Sequence, residues 1–119
     1  MKERAGIYAR VSTKHNNNKD LTIENQIIIA RRYIEDNLME FANVYADTGY
    51  SGMDFERPAW KKLISDIVQY KIDAIVVKDF SRIGRNYILA GEYTEKVFPA
   101  YGIRLVAVSD DYDSFNNMP

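Results

Sequence analysis

The chain has 119 residues, of which 46% are hydrophobic and 13% aromatic, and this composition fits one folded domain with a single core. Cysteine is absent and there is one histidine, which excludes disulfides, thiolate nucleophiles and zinc cages. The formal net charge is −1, so the domain as a whole has no cationic surplus to attract nucleic acid.

The first half of the chain predicts two strands and one helix. A strand over Arg4–Val11 is followed by a helix over "LTIENQIIIARRYIEDN", for which Thr22 or Asp20 is the candidate N-cap. Apolar residues recur in this helix at three- and four-residue steps and form one buried stripe: Ile23, Ile27, Ala30 and Ile34. A short second strand, "FANVYAD", leads into the irregular loop "TGYSGMDFE".

The second half continues the same alternation. Pro58 begins a helix in the position that proline prefers. The residues predicted for its buried face are Trp60, Leu63, Ile64 and Ile67. The apolar run "DAIVVKD" is typical of a parallel strand buried on both faces. "NYILAGEYTEKVF" predicts a third helix, ended by Pro99 and Gly102, and "IRLVAVS" predicts a fourth strand.

Strands and helices therefore alternate along the whole chain. This order predicts an α/β fold, a three-layer sandwich with a mainly parallel central sheet of at least four strands and right-handed crossovers. Ligands of such sheets bind at the carboxyl ends of the strands. Ser12, Asp47 and the run Asp79–Arg85 all fall at those ends, so we expect a functional site there.

The first strand, in "GIYARVSTK", carries an arginine where a sheet interior favours apolar side chains. Because side chains alternate along a strand, Tyr8, Arg10 and Ser12 share one face. A guanidinium in a sheet has a large desolvation penalty unless an anion meets it. Two explanations stay open: Arg10 pairs with a structural carboxylate such as Asp47, or it binds an anionic substrate beside Ser12.

Further arginines follow the third strand and precede Pro58. If "SRIGR" is helical, Arg82 and Arg85 lie on one side of that helix, and their planar forks match phosphate oxygens. Solvated surface charge explains this pair less well, because cations disfavour a helix N-terminus without an anion nearby. Arg57 alone is more typical of a surface, but on a mobile loop it could close over a bound phosphate. Together these residues favour a phosphoryl-transfer site.

Four motifs in order resemble the catalytic domain of serine site-specific recombinases, the resolvase and invertase superfamily. They are "YARVST" (8–13), "DTGYSG" (47–52), "ERP" (56–58) and "KDFSRIGRNY" (78–87). The resemblance covers nearly the whole chain and is greatest to the large-serine transposase branch. It implies a resolvase-like fold and a catalytic domain over residues 1–119, which we expect to be part of a longer protein with C-terminal DNA-binding regions.

The resemblance also implies a mechanism. Ser12 would attack a DNA phosphodiester to give a 5′-phosphoserine and a free 3′-hydroxyl, followed by strand exchange and religation. The implied catalytic residues around the phosphate are Arg10, Arg57, Arg82, Arg85 and Asp47, the last orienting an arginine. The implied substrate-binding residues are Tyr8, Gln26 and Ser81. We expect no cofactor or metal, partners that are double-stranded recombination sites and further copies in dimers and tetramers, and a cytoplasmic protein without a membrane segment.

One departure from the family and two other functions stay open. Small resolvases carry an aspartate where this chain has Ser81, and Asp79 lies two residues earlier, so the acid and base are not identified. His15 is near Ser12 in sequence, but a solvated loop histidine is favoured. A non-catalytic relative would need neither the serine nor the arginines. A flavodoxin-like binder of small molecules would need a phosphate-binding loop after the first strand, where Ser12 and Thr13 offer little.

Overall fold

The computed structural model describes residues 2–12, 22–51 and 55–116, and within them a five-stranded sheet has the order β2-β1-β3-β4-β5. The strands are β1 (Arg4–Val11), β2 (Glu40–Thr48), β3 (Ala74–Val77), β4 (Arg104–Ala107) and β5 (Tyr112–Asp113). The first four strands pair in parallel, and β5 pairs antiparallel with β4. The predicted mainly parallel sheet is confirmed. His15 and Asp20 lie outside the described residues.

The helices begin close to where the sequence predicts. They are α1 (Ile23–Asp36), α2 (Pro58–Val68), α3 (Tyr87–Gly91) and α4 (Phe98–Ala100), with a π-helical segment, Glu92–Val97, between the last two. Thr22 is confirmed as the N-cap of α1, because its Oγ1 accepts a hydrogen bond from the Asn25 N–H at 3.1 Å. No helix in the described ranges is both long and apolar enough to cross a membrane.

The sheet is covered on both faces, which gives the predicted three layers. The core between the sheet and α1 includes Ala5, Ile7, Ala30 and Ile34. The core on the other face, against α2 and the segment from α3 to α4, includes Tyr8, Trp60, Leu63, Ile67 and Phe98. Ile7 and Tyr8 thus face opposite layers, as the alternation along β1 requires. Tyr8 and its neighbours on the α2 side are therefore directed toward the functional residues described below.

Arg104 joins the first residue of β4 to two carboxylates at the sheet edge. Its Nη1 lies 2.6 Å from Glu3 Oε1, and its Nε donates to Asp113 Oδ1 at 3.0 Å. Asp113 is only 8% exposed. Burial alone would raise the pKa of this carboxyl, but hydrogen bonds from Arg104 and from the Phe115 N–H outweigh burial and hold the pKa below its ordinary value.

We therefore expect Asp113→Asn to destabilise the domain by about 2 kcal/mol at pH 7, since a hydrogen-bonded charged pair is lost. A carboxyl whose folded pKa is depressed contributes its stability above the unfolded pKa of about 4 and loses it as the pH falls through the folded value. Urea unfolding at pH 7 and pH 3 measures this. The difference in free energy of unfolding between wild type and variant should be smaller at pH 3 than at pH 7. An equal difference at both pH values would contradict the ion-pair explanation.

Candidate active site

The carboxyl ends of β1, β2 and β3 bring the predicted residues to one edge of the sheet. Ser12 follows the last residue of β1 and is exposed. Asp47 lies near the end of β2, directly opposite Arg10 in the β1–β2 register. Arg82 ends a short 3-10 turn, Phe80–Arg82, that comes soon after β3. The topology therefore gathers a hydroxyl, a carboxylate and two guanidiniums where the sequence predicted a site.

Arg10 is buried, at 2% exposure, and is held by main-chain oxygens. Its Nε donates to the Arg82 carbonyl at 3.1 Å, its Nη1 to the Tyr50 carbonyl at 3.0 Å, and its Nη2 to the Ser81 carbonyl. No carboxylate in the described ranges forms an ion pair with it, so the explanation that Arg10 pairs with Asp47 is wrong. The physical reason is that the Asp47 carboxylate is occupied by other donors.

The electrostatics of Arg10 show a cation without a counter-charge. Burial, together with the positive charges of Arg82, Arg57 and Arg85, lowers the pKa of the Arg10 guanidinium to about 10. The group is still charged at pH 7, because that pH lies well below its pKa. Carbonyl dipoles satisfy its N–H groups but do not cancel its charge, so this edge of the sheet favours an anion.

Arg57 is fully buried, which differs from the surface or mobile-loop position that its sequence context favoured. Its Nη1 donates to the Tyr8 hydroxyl at 3.0 Å and to the Arg82 carbonyl at 3.1 Å, and its Nη2 donates to the Ile83 carbonyl. The guanidinium carbon also lies 4.5 Å from the Phe55 ring centre. Cation–π contact and these bonds explain why the charged group tolerates burial.

Asp47 caps α2 and holds Tyr8. Its two carboxylate oxygens accept from the main-chain N–H groups of Ala59 at 2.9 Å and Trp60 at 3.0 Å, and Oδ2 also accepts from the Tyr8 hydroxyl at 2.8 Å. A carboxylate at a helix N-terminus is favourable for the orphan donors and the helix dipole. Hydrogen bonds thus link Asp47 to Arg57 through the Tyr8 hydroxyl, and the orienting role of Asp47 toward an arginine stays a prediction.

Arg82 and Arg85 do not share a helix, so the condition under which they would lie on one helical side is not met. The Asn86 side chain caps α3 by accepting from the Leu89 N–H at 3.2 Å, and the helix starts only after Arg85. Arg82 donates from Nη1 to the Arg10 carbonyl at 2.6 Å and from Nε to Asp79 Oδ1 at 3.3 Å. Arg85 is exposed, and its charge is close enough to contribute to the lowered pKa of Arg10.

The three predicted substrate-binding residues have structural contacts here. Gln26 is fully buried, and its amide accepts from the Arg10 N–H at 3.0 Å and donates to the Arg10 carbonyl at 3.1 Å. Tyr8 is equally buried, while Ser81 is half-buried and offers its carbonyl to Arg10. Neither Tyr8 nor Gln26 has surface open to a ligand in this structure, and their contact with substrate stays a prediction.

Two features were not predicted from the sequence: the main-chain oxygens that accept hydrogen bonds from the arginines, and the aromatic rings around Arg57. Carbonyls carry no residue-specific signal, so no pattern could have indicated Tyr50 or Ile83 as partners. The aromatics were readable, because Phe55 and Trp60 flank Arg57 within "FERPAW". Across the described ranges, no group of three or more Asp, Glu, His or Cys side chains could hold a metal ion.

Comparison with known proteins gives consistent matches. The family described as "Resolvase, N terminal domain" matches residues 5–118. The N-terminal catalytic domain of TP901-1 integrase is 28% identical, with a TM-score of 0.92 over 98% of this chain and 85% of that chain. A resolvase family site-specific recombinase from Streptococcus pneumoniae is 26% identical, with a TM-score of 0.78 over 98% and 78%. Curated proteins gave no match.

An IS607-like serine recombinase gives a similar result. The C-terminal catalytic domain of ISC1926 TnpA is 28% identical, with a TM-score of 0.76 over 88% of this chain and 69% of that chain.

Proposed function

Because the chain belongs to the resolvase family of serine recombinases, we propose that it is the catalytic domain of an enzyme that cuts and rejoins DNA, with Ser12 as its nucleophile. The observation that supports this best is an exposed serine at the end of β1, two residues after the buried Arg10, for which the described residues provide no carboxylate partner. Such a site is prepared for an anion, and a phosphodiester is the anion that a serine hydroxyl can attack.

The proposed cleavage step exchanges one ester for another. Ser12 Oγ forms a bond to phosphorus, the bond to the 3′-oxygen breaks, and the products are a 5′-phosphoserine and a 3′-hydroxyl. The serine proton leaves and the 3′-oxygen gains one, so no net proton or cofactor is consumed. In religation, a 3′-hydroxyl attacks the phosphoserine and Ser12 departs, so the ester bond is retained throughout.

The arginines would stabilise the charge on the five-coordinate phosphorus. Arg85 is exposed, whereas the Arg82 side chain is 12% exposed and is held by the Arg10 carbonyl and by Asp79. Arg10 lies directly beneath them and adds its uncompensated charge. A non-catalytic scaffold would not need the charge of Arg10, since a buried cation without a counter-charge destabilises a fold.

We further propose that C-terminal DNA-binding regions follow this domain in a longer cytoplasmic protein, which assembles as dimers and tetramers on double-stranded recombination sites. The decisive experiment uses the longest natural chain that contains residues 1–119. The substrate is DNA from both sides of its gene, nicked so that cleavage releases a short fragment. Loss of that fragment removes the 3′-hydroxyl needed for religation, so the covalent product is trapped. Mass spectrometry should find the nucleotide on Ser12. A link to any other residue would exclude Ser12 as the nucleophile.

We expect residues 1–119 alone to bind DNA weakly, with a Kd of roughly 10–100 µM at physiological salt, because the net charge is −1 and non-specific affinity comes mainly from cationic surplus. Fluorescence anisotropy with a labelled duplex measures this, and the longer natural chain serves as the comparison. Nanomolar, sequence-selective binding by the short chain would contradict a DNA-binding region elsewhere.

A further inference from the structure

The surroundings of Arg57 are those of a structural anchor. Its side chain is fully buried, and three aromatic rings surround the guanidinium carbon at 4.5 Å (Phe55), 5.3 Å (Trp60) and 5.6 Å (Tyr8). Its hydrogen bonds go to protein oxygens on two other segments. To contact a phosphate directly, this side chain would have to give up these rings and these bonds.

Arg57 and Arg10 hold the same piece of main chain. The Arg82 carbonyl accepts from Arg10 Nε and from Arg57 Nη1, each at 3.1 Å, and the carbonyls on either side of it, of Ser81 and Ile83, accept from one arginine each. The buried guanidiniums of Arg10 and Arg57 thus fix three consecutive carbonyls, and this arrangement is called the clamp. Hydrogen bonds from the protein interior therefore hold the main chain that carries Arg82 and leads to Arg85.

The Tyr8 hydroxyl connects this clamp to the helix cap. It donates to Asp47 Oδ2 at 2.8 Å and accepts from Arg57 Nη1 at 3.0 Å, while Asp47 is itself fixed by two N–H groups of α2. Burial raises the pKa of Tyr8 well above its ordinary value, so the hydroxyl keeps its proton and the direction of both bonds at neutral pH.

We propose that Arg57 is a positioning residue that fixes the main chain of residues 81–83, and that the Tyr8 hydroxyl in turn fixes Arg57. This rests on the proposed DNA cleavage, whose phosphate would be met by Arg82 and Arg85. Tyr8 acts at a distance: it touches no substrate, and its loss lets the clamp shift so that the two outer guanidiniums are misplaced. Small displacements of charged groups around a reacting phosphate reduce rate more than affinity.

The test is Tyr8→Phe in the longest natural chain, with Tyr45→Phe as the matched control. Tyr45 is a buried tyrosine on the neighbouring strand in the same core, and its hydroxyl donates to a carboxylate, that of Asp66. Each variant loses one hydroxyl–carboxylate bond, and Tyr8→Phe also loses the bond that Arg57 donates to its hydroxyl. We expect Tyr8→Phe to slow adduct formation at saturating DNA about tenfold, with DNA affinity within about twofold of wild type. Tyr45→Phe should leave the rate unchanged.

A double-mutant cycle with Arg57→Met shows whether Tyr8 acts through Arg57. If it does, Tyr8→Phe slows the Arg57→Met variant no further; if Tyr8 acts on substrate independently, the two reductions multiply. Thermal melting of each variant shows that it is folded at the assay temperature. Should Arg57→Met not fold, Arg57→Lys completes the cycle, because a point charge cannot reproduce the two-carbonyl clamp.

Three results would overturn the proposal: equal rates for Tyr8→Phe and Tyr45→Phe, multiplying effects in the double variant, or a loss of DNA affinity without a loss of rate. Failure of the proposed function is recognised separately. In that case the wild-type chain gives no covalent adduct, or gives one that persists in Ser12→Ala, whatever the tyrosine variants do.

Discussion

Ser12→Ala is expected to abolish covalent attachment to DNA, with a reduction of at least about 10³-fold in adduct formation, while the domain stays folded. The Oγ atom of Ser12 would form the bond to phosphorus, and Ser12 is the exposed residue that directly follows β1. Because Ser12 is exposed at a strand end, the free energy of unfolding should change by no more than about 0.5 kcal/mol.

The measurement is denaturing gel analysis of the nicked DNA with wild type and variant, together with a urea unfolding curve. Ser109→Ala is the matched control, since Ser109 is also exposed and follows β4 at the same end of the sheet. That control should form adduct at the wild-type rate. An adduct that survives in Ser12→Ala would remove the nucleophile assignment, whereas an unfolded variant would show that the serine has a structural role instead.

Periodicity predicted the parts of the fold that depend on local pattern. Proline at the start of α2 and the buried run of β3 follow from backbone preference and side-chain spacing, and the structure confirms them. Of the apolar stripe predicted for α1, Ala30 and Ile34 are buried, whereas Ile23 and Ile27 are half-buried. The two-residue strand β5 was not predicted, because it is too short to show any alternation. The π-helical segment was also not predicted, since its sequence reads as an ordinary helix.

The features of the site also fall into those that the sequence predicted and those that it did not. The alternation along β1 placed Tyr8, Arg10 and Ser12 together, and topology brought Asp47 and Arg82 to the same edge. What sequence could not give is which groups meet, because the partners are carbonyls and N–H groups from distant segments. Of the two explanations for Arg10, this structure excludes the pair with a carboxylate. The carbonyl partners that Arg10 has instead were not among the predicted contacts.

The burial of Arg57 shows the limit of reading residues one at a time. In sequence it is a charged residue in a loop before proline, a pattern typical of surfaces. In the structure it fills the space between two core aromatics and a strand tyrosine, and its bonds cross to a turn twenty-five residues away. Only the three-dimensional placement of these elements reveals that a charge belongs to the core there.

Arg10→Lys is expected to slow adduct formation by about 10²-fold or more, a loss of the size seen when preorganised stabilisation of a developing charge is weakened. The planar fork of Arg10 reaches three separate carbonyls, those of Tyr50, Ser81 and Arg82, and a single ammonium cannot satisfy all three directions. Burial would also lower the pKa of a lysine at this position below its ordinary value of about 10.4.

Arg4→Lys provides the matched control, because Arg4 lies at the opposite end of the same strand and pairs with Asp73 at 2.9 Å, far from the carboxyl edge. Adduct formation at saturating DNA, measured well below the melting temperature of every variant, should fall for Arg10→Lys and stay near wild type for Arg4→Lys. If both variants cleave DNA normally while only Arg10→Lys melts at a lower temperature, the Arg10 guanidinium serves to hold the carbonyls of the neighbouring turn, and the charge that stabilises the reacting phosphate must come from Arg82 and Arg85 alone.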